Sequence, residues 1–386
     1  MKYKIAFLIN SLTPGGAERV MSLLLQNLQC NEFDIELIML EDDIVFDIPD
    51  HIKVTILSKH KSEGKSVLKT LSIPLYALKL ATYVQKEDIK TVVSFLYRAD
   101  FVNIIAAQIT KHKTIVSQRV NASSTYNDNT IVSRIYRYLI RKLYPRADVV
   151  LNVSEGTKYD LSKNFGIDTR KQKVIYNPYE IEKIMSLAKE PVDIPLEREN
   201  TIVVVAWLRK VKNIAMIIEV FSMLDPKMRL VIVGSGEEEE LLKRKAANLG
   251  LLERIYFVGA DKNPYRYMRR ASIYVSASYS EGFPNAMVEA MLCKCAVVVT
   301  DCLSGPREIL APQSDPHTLV ENQIEYTPFG VLYPVGDSKL LKKVLVDLIE
   351  NPEKTRKMGE EGYQRAHDFD MTEIVAQYCQ ILHEVR

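Results

Sequence analysis

No uninterrupted apolar run in this sequence reaches the ~18 residues from which a membrane-crossing helix is read, so no segment of the 386 residues is expected to span a bilayer. The opening MKYKIAFLIN sets two lysines before an apolar stretch, as a secretory leader would. The stretch is short, however, polar SLTPGGAER follows it, and no small-residue cleavage site appears. A first β-strand is expected there, and a cytoplasmic location for the chain. Cysteine is scarce and odd in number: Cys30, Cys293, Cys295, Cys302 and Cys379 are scattered in a way that builds no disulfide framework. Cys293, Cys295 and Cys302 lie close together, but without a nearby histidine or a second C-x-x-C they are weak zinc ligands. Cys295 opens the apolar run CAVVVT, where cysteine serves as a small core residue. Glycine and proline are not in excess, at 15 and 16 residues, which excludes a low-complexity or collagenous chain. Neither G-x-G-x-x-G nor a Walker A loop is present, which argues against the common dinucleotide and NTP-binding fingerprints.

What is there fits an ordinary globular protein, with 47% hydrophobic and 26% charged residues. The length exceeds what one hydrophobic core usually serves, so two domains are expected. Short β-branched runs near 4–9, 34–40, 53–57, 91–95, 114–117, 149–153 and 173–175 alternate with helical-period segments. The pattern resumes with strands near 202–206, 230–233, 255–257, 273–276 and 297–300, separated by helices near 215–224, 237–249 and 286–293. Such alternation predicts an α/β fold of parallel sheets covered by helices on both faces. Residues 177–200 hold three prolines, many charges and no strand pattern, and serve as the candidate boundary. The expected domains are therefore 1–190 and 191–370, with a terminal helix at 371–386.

In open α/β sheets, ligands bind beyond the carboxyl ends of the strands. Three motifs fall there. Pro14-Gly15-Gly16-Ala17-Glu18-Arg19 follows the first strand; paired glycines before a helix either let a phosphate approach free N–H groups or form a plain tight turn. Gly234-Ser235-Gly236 precedes four glutamates, 237–240, which complement a helix start but repel a pyrophosphate. It is expected to be a turn rather than a phosphate contact. In 280–290, SEGFPNAMVEA, Glu281 sits in a loop, Gly282-Phe283-Pro284-Asn285 starts a helix, and Glu289 lies about one turn inside. That helix start can hold an anion, and the carboxylates can accept hydrogen bonds from sugar hydroxyls; spacing alone leaves both open as ordinary helix-start acids.

E-G-F-P-N-x-x-x-E-A, followed by a strand and D-C-L-S-G-P-R-E at 301–308, resembles the retaining glycosyltransferases of family four. So do P-G-G-A-E-R, V-G-S-G-E and G-V-L-Y-P-V-G-D at 330–337, in order along nearly the whole chain. The resemblance implies the GT-B fold: two facing Rossmann-like domains with a cleft between them, and a terminal helix crossing back to the first. It implies that Glu281 and Glu289 are the acids of an E-x7-E motif, facing the donor sugar and the ribose. Backbone amides at 282–285 would hold sugar and phosphate, with Gly15 and Gly16 closing on the pyrophosphate. Lys212 matches the lysine of G-R-L-x-x-x-K-[GN], which neutralises the departing diphosphate, a role consistent with the charge such a leaving group develops. No cofactor and no metal are implied. The lone D-x-D, 368–370, precedes the terminal helix and reads as a capping segment.

Two positions depart from the family pattern. Trp207 stands where arginine is usual, as a core-packing residue or a pocket wall, and Arg209 is the candidate to replace the missing cation. Arg119 stands where many relatives have a histidine; it cannot accept a proton but can position an acceptor or a phosphate. The six histidines receive no catalytic role.

Charge is uneven. Residues 51–150 carry seventeen Lys and Arg against six Asp and Glu, so the remainder has a net charge of −9. Within that stretch, 132–146 (VSRIYRYLIRKLYPR) interleaves Arg134, Arg137, Arg141, Lys142 and Arg146 with apolar residues. A helix on an anionic membrane, a packed helix with a solvated basic face and a nucleic-acid patch all fit this pattern. Peripheral contact with an anionic membrane at the inner face of the cell is the reading adopted; no nucleic-acid partner is expected. The expected activity is retaining, metal-independent transfer from a nucleotide diphosphate sugar, with uridine the expected base. The acceptor would be a hydroxyl of a glycan or lipid-linked glycan, in surface polysaccharide synthesis. The alternatives are a non-catalytic binding subunit of the same fold, which Trp207 favours, or a sugar-nucleotide epimerase, which would want acid–base histidines and carboxylates not evident here.

Overall fold

The computed structural model describes residues 2–13, 15–28, 32–58 and 66–386. Pro14 of the first glycine motif and Cys30 lie outside them. Met1–Pro178 with Met371–Arg386 form one compact unit, and Tyr179–Asp370 a second.

The first unit carries strands β1 (Tyr3–Ile9), β2 (Phe33–Met39), β3 (Lys53–Ile56), β4 (Thr91–Phe95), β5 (Lys113–Gln118), β6 (Val149–Asn152) and β7 (Gln172–Val174). Its helices begin with α1 (Gly16–Asn27), α2 (Ser66–Leu71), α3 (Ile73–Glu87) and α4 (Tyr97–Thr110). They continue with α5 (Ala122–Thr125), α6 (Ile131–Leu143) and α7 (Glu155–Phe165). The strands pair in parallel in the order β3-β2-β1-β4-β5-β6-β7. Alternation along β1 divides the core: Ala6 and Leu8 face α3 and α4, while Ile5, Phe7 and Ile9 face α1. Every residue of β4 is buried, as expected of a strand covered on both faces. The chain therefore crosses from one side of β1 to the other between β2 and β4, which makes the carboxyl ends of β1 and β4 the ligand-accepting edge.

The second unit repeats the plan with β8 (Thr201–Val205), β9 (Arg229–Val233), β10 (Ile255–Gly259), β11 (Ile273–Ser276), β12 (Ala296–Thr300), β13 (Glu325–Thr327) and β14 (Gly330–Tyr333). Helices α8 (Ile181–Leu187), α9 (Ile214–Phe221), α10 (Glu239–Asn248) and α11 (Tyr265–Met268) come first. After them follow α12 (Asn285–Leu292), α13 (Pro306–Leu310), α14 (Ser338–Glu350) and α15 (Pro352–Ala366). The order is β10-β9-β8-β11-β12-β14-β13, parallel except for the β13–β14 hairpin. The two Rossmann-like sheets bear out the expected α/β class. That hairpin, of three- and four-residue strands, is not among the strands expected from the sequence.

The last helix, α16 (Met371–Val385), belongs to the first unit, where Ile374, Tyr378, Ile381 and Leu382 bury against the face that holds Ile5 and Phe7. The boundary between units falls after Pro178 rather than at 190. The charged stretch that looked like a linker contains α8, which buries Ile181 and Ile184 and packs on α11 and α12. Asn263 fastens its end, donating to Leu187 O at 2.9 Å and Glu190 Oε2 at 2.8 Å. Among the described residues no helix is long and apolar enough to cross a membrane.

Candidate functional site

In the second unit the carboxyl ends of β8, β9, β11 and β12 bring the predicted residues together. After β8 the backbone continues in register with the Gly234–Gly236 turn: Leu208 N donates to Ser235 O at 2.9 Å and Glu238 N to Leu208 O at 3.0 Å. A Cβ on either glycine would strike the carbonyl of Ala206 or Leu208, and Gly234 has φ +142°. These glycines therefore serve a close backbone approach, in agreement with their reading as a turn.

The chain then makes a 3-10 turn over Lys210–Lys212, closed by Asn213 in the left-handed region at φ +49°. Tyr279 N donates to Val211 O at 2.9 Å, tying this turn to the loop after β11. The tie sets Lys212 Nζ 2.6 Å from Glu281 Oε1, with both side chains largely buried. Partial burial strengthens such a pair beyond the small worth of a surface bridge. The pair also sets a cation able to meet an anion beside a carboxylate able to accept from hydroxyls.

The loop runs on through Gly282, Phe283 and Pro284 into α12, whose first turn has no side-chain cap; there Asn285 N donates to Phe283 O and Met287 N to Pro284 O, both at 3.0 Å. Phe283 is buried against Phe369, with ring centroids 5.6 Å apart. Asn285 Oδ1 accepts from Tyr179 Oη at 2.7 Å. Glu289 follows one turn on, only 4% exposed.

A second loop supports the first. After β12, Ser304 and Gly305 both have positive φ, +73° and +96°. A Cβ on Gly305 would lie 2.6 Å from Pro284 Cδ and 3.2 Å from Phe283 Cα, so only glycine lets this loop back the 282–284 segment. Asp301, at the loop's start, accepts from Arg307 Nη2 at 2.6 Å and Val320 N at 2.8 Å. Burial pushes its carboxyl above the usual range, opposed by Arg307 and the Val320 amide. Arg307 also reaches Glu325 Oε2 at 2.7 Å, and Arg365 binds the carbonyls of Glu308 and Ile309. The sequence shows Arg307 only as one letter of G-P-R-E; its bridging of β13 to the loop could not be read there. A cavity of about 650 Å³ opens beside Arg307, Ser314, Asp315, Thr318 and Glu325, but Glu281, Glu289 and Lys212 do not line it.

Trp207 is 47% exposed, which overturns core packing. The guanidinium of Arg209 lies over its ring at 5.5 Å. Arg209 is exposed and forms no ion pair among the described residues, so it is not brought to Glu281 as Lys212 is.

The remaining predicted residues stand in the first unit. Gly15 is the N-cap of α1, in extended conformation, and Gly16 its first residue. Glu18, in the first turn, has its pKa raised by burial and lowered in part by Arg119. Arg119 follows β5, lies over the Phe95 ring at 5.1 Å and donates to Asn177 Oδ1. Unforeseen in the sequence is Arg98, buried at the start of α4, whose Nη2 is 2.6 Å from Glu41 Oε1 and whose Nε is 3.4 Å from Asn10 Oδ1. It gathers the carboxyl ends of β1 and β2 at the start of α4.

Three of the cysteines behave as core residues. Cys293, Cys295 and Cys302 are free and buried, and burial pushes all three thiols up, Cys295 to about 12, which disfavours the thiolate a metal needs. Cys379 is disulfide-bonded, a pairing not foreseen. Among the described residues no cluster of His, Cys, Asp and Glu could hold a metal. Asp368 pairs with Arg365, and the backbone N–H of Asp370 donates to His367 O at 3.0 Å.

Comparisons with known proteins agree on one group. The family described as "Glycosyltransferase Family 4" matches residues 14–183, and "Glycosyl transferases group 1" matches 188–365. A relative from Campylobacter jejuni is 32% identical over 372 residues, covering 96% of this chain and 97% of its own. It is an N-acetylgalactosamine-N,N'-diacetylbacillosaminyl-diphospho-undecaprenol 4-alpha-N-acetylgalactosaminyltransferase. The crystal structure of HepE from Anabaena in complex with UDP superposes with a TM-score of 0.76 at 21% identity, over the full length of both chains. Sucrose-phosphate synthase from Thermosynechococcus elongatus gives 0.82 at 16% identity, over 100% of this chain and 99% of that one.

Proposed function

Because the chain belongs to glycosyltransferase family 4 and has its GT-B type of fold, we propose that it transfers a sugar from a UDP-sugar, with retention, to a hydroxyl of a lipid-linked glycan. The Lys212–Glu281 pair carries this reading. It sits beside the uncapped start of α12, with Glu289 one turn further, so a cation and two carboxylates are gathered at one helix start. Glu281 would accept hydrogen bonds from the donor sugar's hydroxyls and Glu289 from the ribose, while backbone N–H groups of the 282–285 segment, where Pro284 has none, would donate to sugar and phosphate. As the anomeric C–O bond breaks, the charge growing on the diphosphate is met by Lys212. The acceptor oxygen attacks from the side the diphosphate leaves, and its proton passes to a phosphate oxygen, so no protein base is needed. Lys212 supplies the positive charge, and the transfer requires no metal.

The acceptor class is supported by the Campylobacter relative, whose substrate is an undecaprenol-linked glycan, and UDP by its presence in HepE. The basic face of α6 suits a protein working against an anionic membrane, at the cytoplasmic side. A non-catalytic subunit is the second reading, favoured by exposed Trp207 in place of the family's arginine.

The test is transfer from UDP-sugars to an undecaprenyl-diphosphate glycan in the presence of EDTA, with the product's anomeric configuration read by NMR. Transfer with retention bears the reading out. Tight UDP binding without transfer would establish the second reading, and transfer that stops with EDTA would remove the metal-independent step.

A further inference from the structure

Helices α2 and α3 continue into one another through Ser72, which has helical dihedrals, donates its N–H to Leu68 O at 3.1 Å and accepts from Tyr76 N at 3.1 Å. One side of this run is core: Ile73, Tyr76, Ala77, Leu80, Ala81 and Val84 are buried. The other side is also apolar over three turns. Leu68, Leu71, Leu75 and Leu78 are exposed by 61, 70, 57 and 58%. At ~100° per residue they fall within about a quarter turn, opposite the buried set. Single exposed leucines are ordinary, but four in one stripe are not.

Helix α6 packs on α2. It presents Ile131, at 71% exposure, and Tyr138, at 60%, among Arg134, Arg137, Arg141 and Lys142, with no acidic residue from 131 to 146. Arg134, Arg137 and Lys142 form no ion pair among the described residues, so their charge is available. An apolar stripe beside uncompensated cations matches a bilayer interface, apolar beneath anionic headgroups, and does not match an acid-free second copy of the same face, whose cations would repel.

We propose that the leucine stripe of α2–α3 inserts into the interface of an anionic bilayer, while the α6 cations hold the headgroups. The inference rests on the membrane-acceptor reading above for its setting, and it adds an apolar anchor to the basic helix.

Sedimentation of the full chain with phosphatidylcholine vesicles, with and without phosphatidylglycerol, at low and high salt, tests it. The parent should bind the anionic vesicles and retain part of that binding at high salt. Leu71→Glu/Leu75→Glu/Leu78→Glu should weaken the partition at least about tenfold at both salts, because it removes the apolar area that would leave water. Arg134→Gln/Arg137→Gln/Lys142→Gln should weaken it chiefly at low salt. Leu75→Trp should in addition become quenched by brominated lipids, above the constant signal of Trp207. Unchanged binding of the leucine variant, no quenching, or a concentration-dependent dimer that the leucine variant abolishes would overturn the proposal. Transfer to a water-soluble glycan needs no stripe: if it fails while vesicle binding persists, the enzymatic reading falls and this surface stands.

Discussion

The Lys212 ammonium donates a 2.6 Å hydrogen bond to Glu281 Oε1, joining the turn after β8 to the loop after β11. The two groups hold each other in place, and under the proposed function both would meet the donor. Lys212→Ala is expected to lower kcat by ~10²–10³-fold, the scale for losing one group that stabilises developing charge. Lys212→Arg should recover part of that loss. Since each partner positions the other, the Lys212→Ala/Glu281→Gln double variant should lose far less than the product of the single losses, which steady-state kinetics on all four proteins will read.

Glu289 is buried in the second turn of α12, where its carboxylate would meet the ribose. Glu289→Gln keeps the shape and removes the charge. A hydrogen bond to a charged group contributes ~1.5–3 kcal/mol, so UDP should bind ~10- to 100-fold more weakly. Calorimetric titration measures this directly. An unchanged Kd would place the nucleotide elsewhere.

Gly305 backs the 282–284 segment. Gly305→Ala sets a methyl 2.6 Å from Pro284 Cδ at φ +96°, a backbone angle that disfavours any side chain. A cost of ~1–3 kcal/mol in unfolding free energy is expected, together with a higher KM for the donor as 282–284 shifts. A fall in melting temperature with unaltered KM would show that the loop behind the donor segment can move without disturbing it.

How far the sequence exposes this architecture depends on how local each feature is. AVVVT of β12 and TVVSF of β4 are buried on both faces, so composition alone marks them as strands. One helix start fixes the spacing of Glu281 and Glu289, which makes the pair stand out in the sequence, but spacing alone leaves them ordinary helix-start acids and the resemblance assigns their roles. Their partner Lys212 is placed by a backbone bond between Val211 and Tyr279, remote in sequence, and motif resemblance alone pointed to it. The α8 helix was hidden because its two buried isoleucines sit among charges. Leu75 and Leu78 show the reverse difficulty: in sequence they look like Leu80, and only the fold tells the exposed face from the core.

His112 is buried at the start of β5, with Nε2 2.9 Å from Asn103 Oδ1. Burial pushes its pKa from 6.5 down to about 4, against a small upward pull from Asp148. The unfolded chain therefore takes up this proton before the folded one does. Stability is complete above the unfolded pKa, falls as pH drops from 6.5 towards 4, and levels off below that. The loss amounts to ~3 kcal/mol at ~1.4 kcal/mol per pKa unit. Urea unfolding at pH 7.5 and 4.5 measures it for the parent chain. His112→Asn cannot titrate, so it should be less stable at pH 7.5 for want of the imidazole packing, yet lose ~3 kcal/mol less than the parent on acidification.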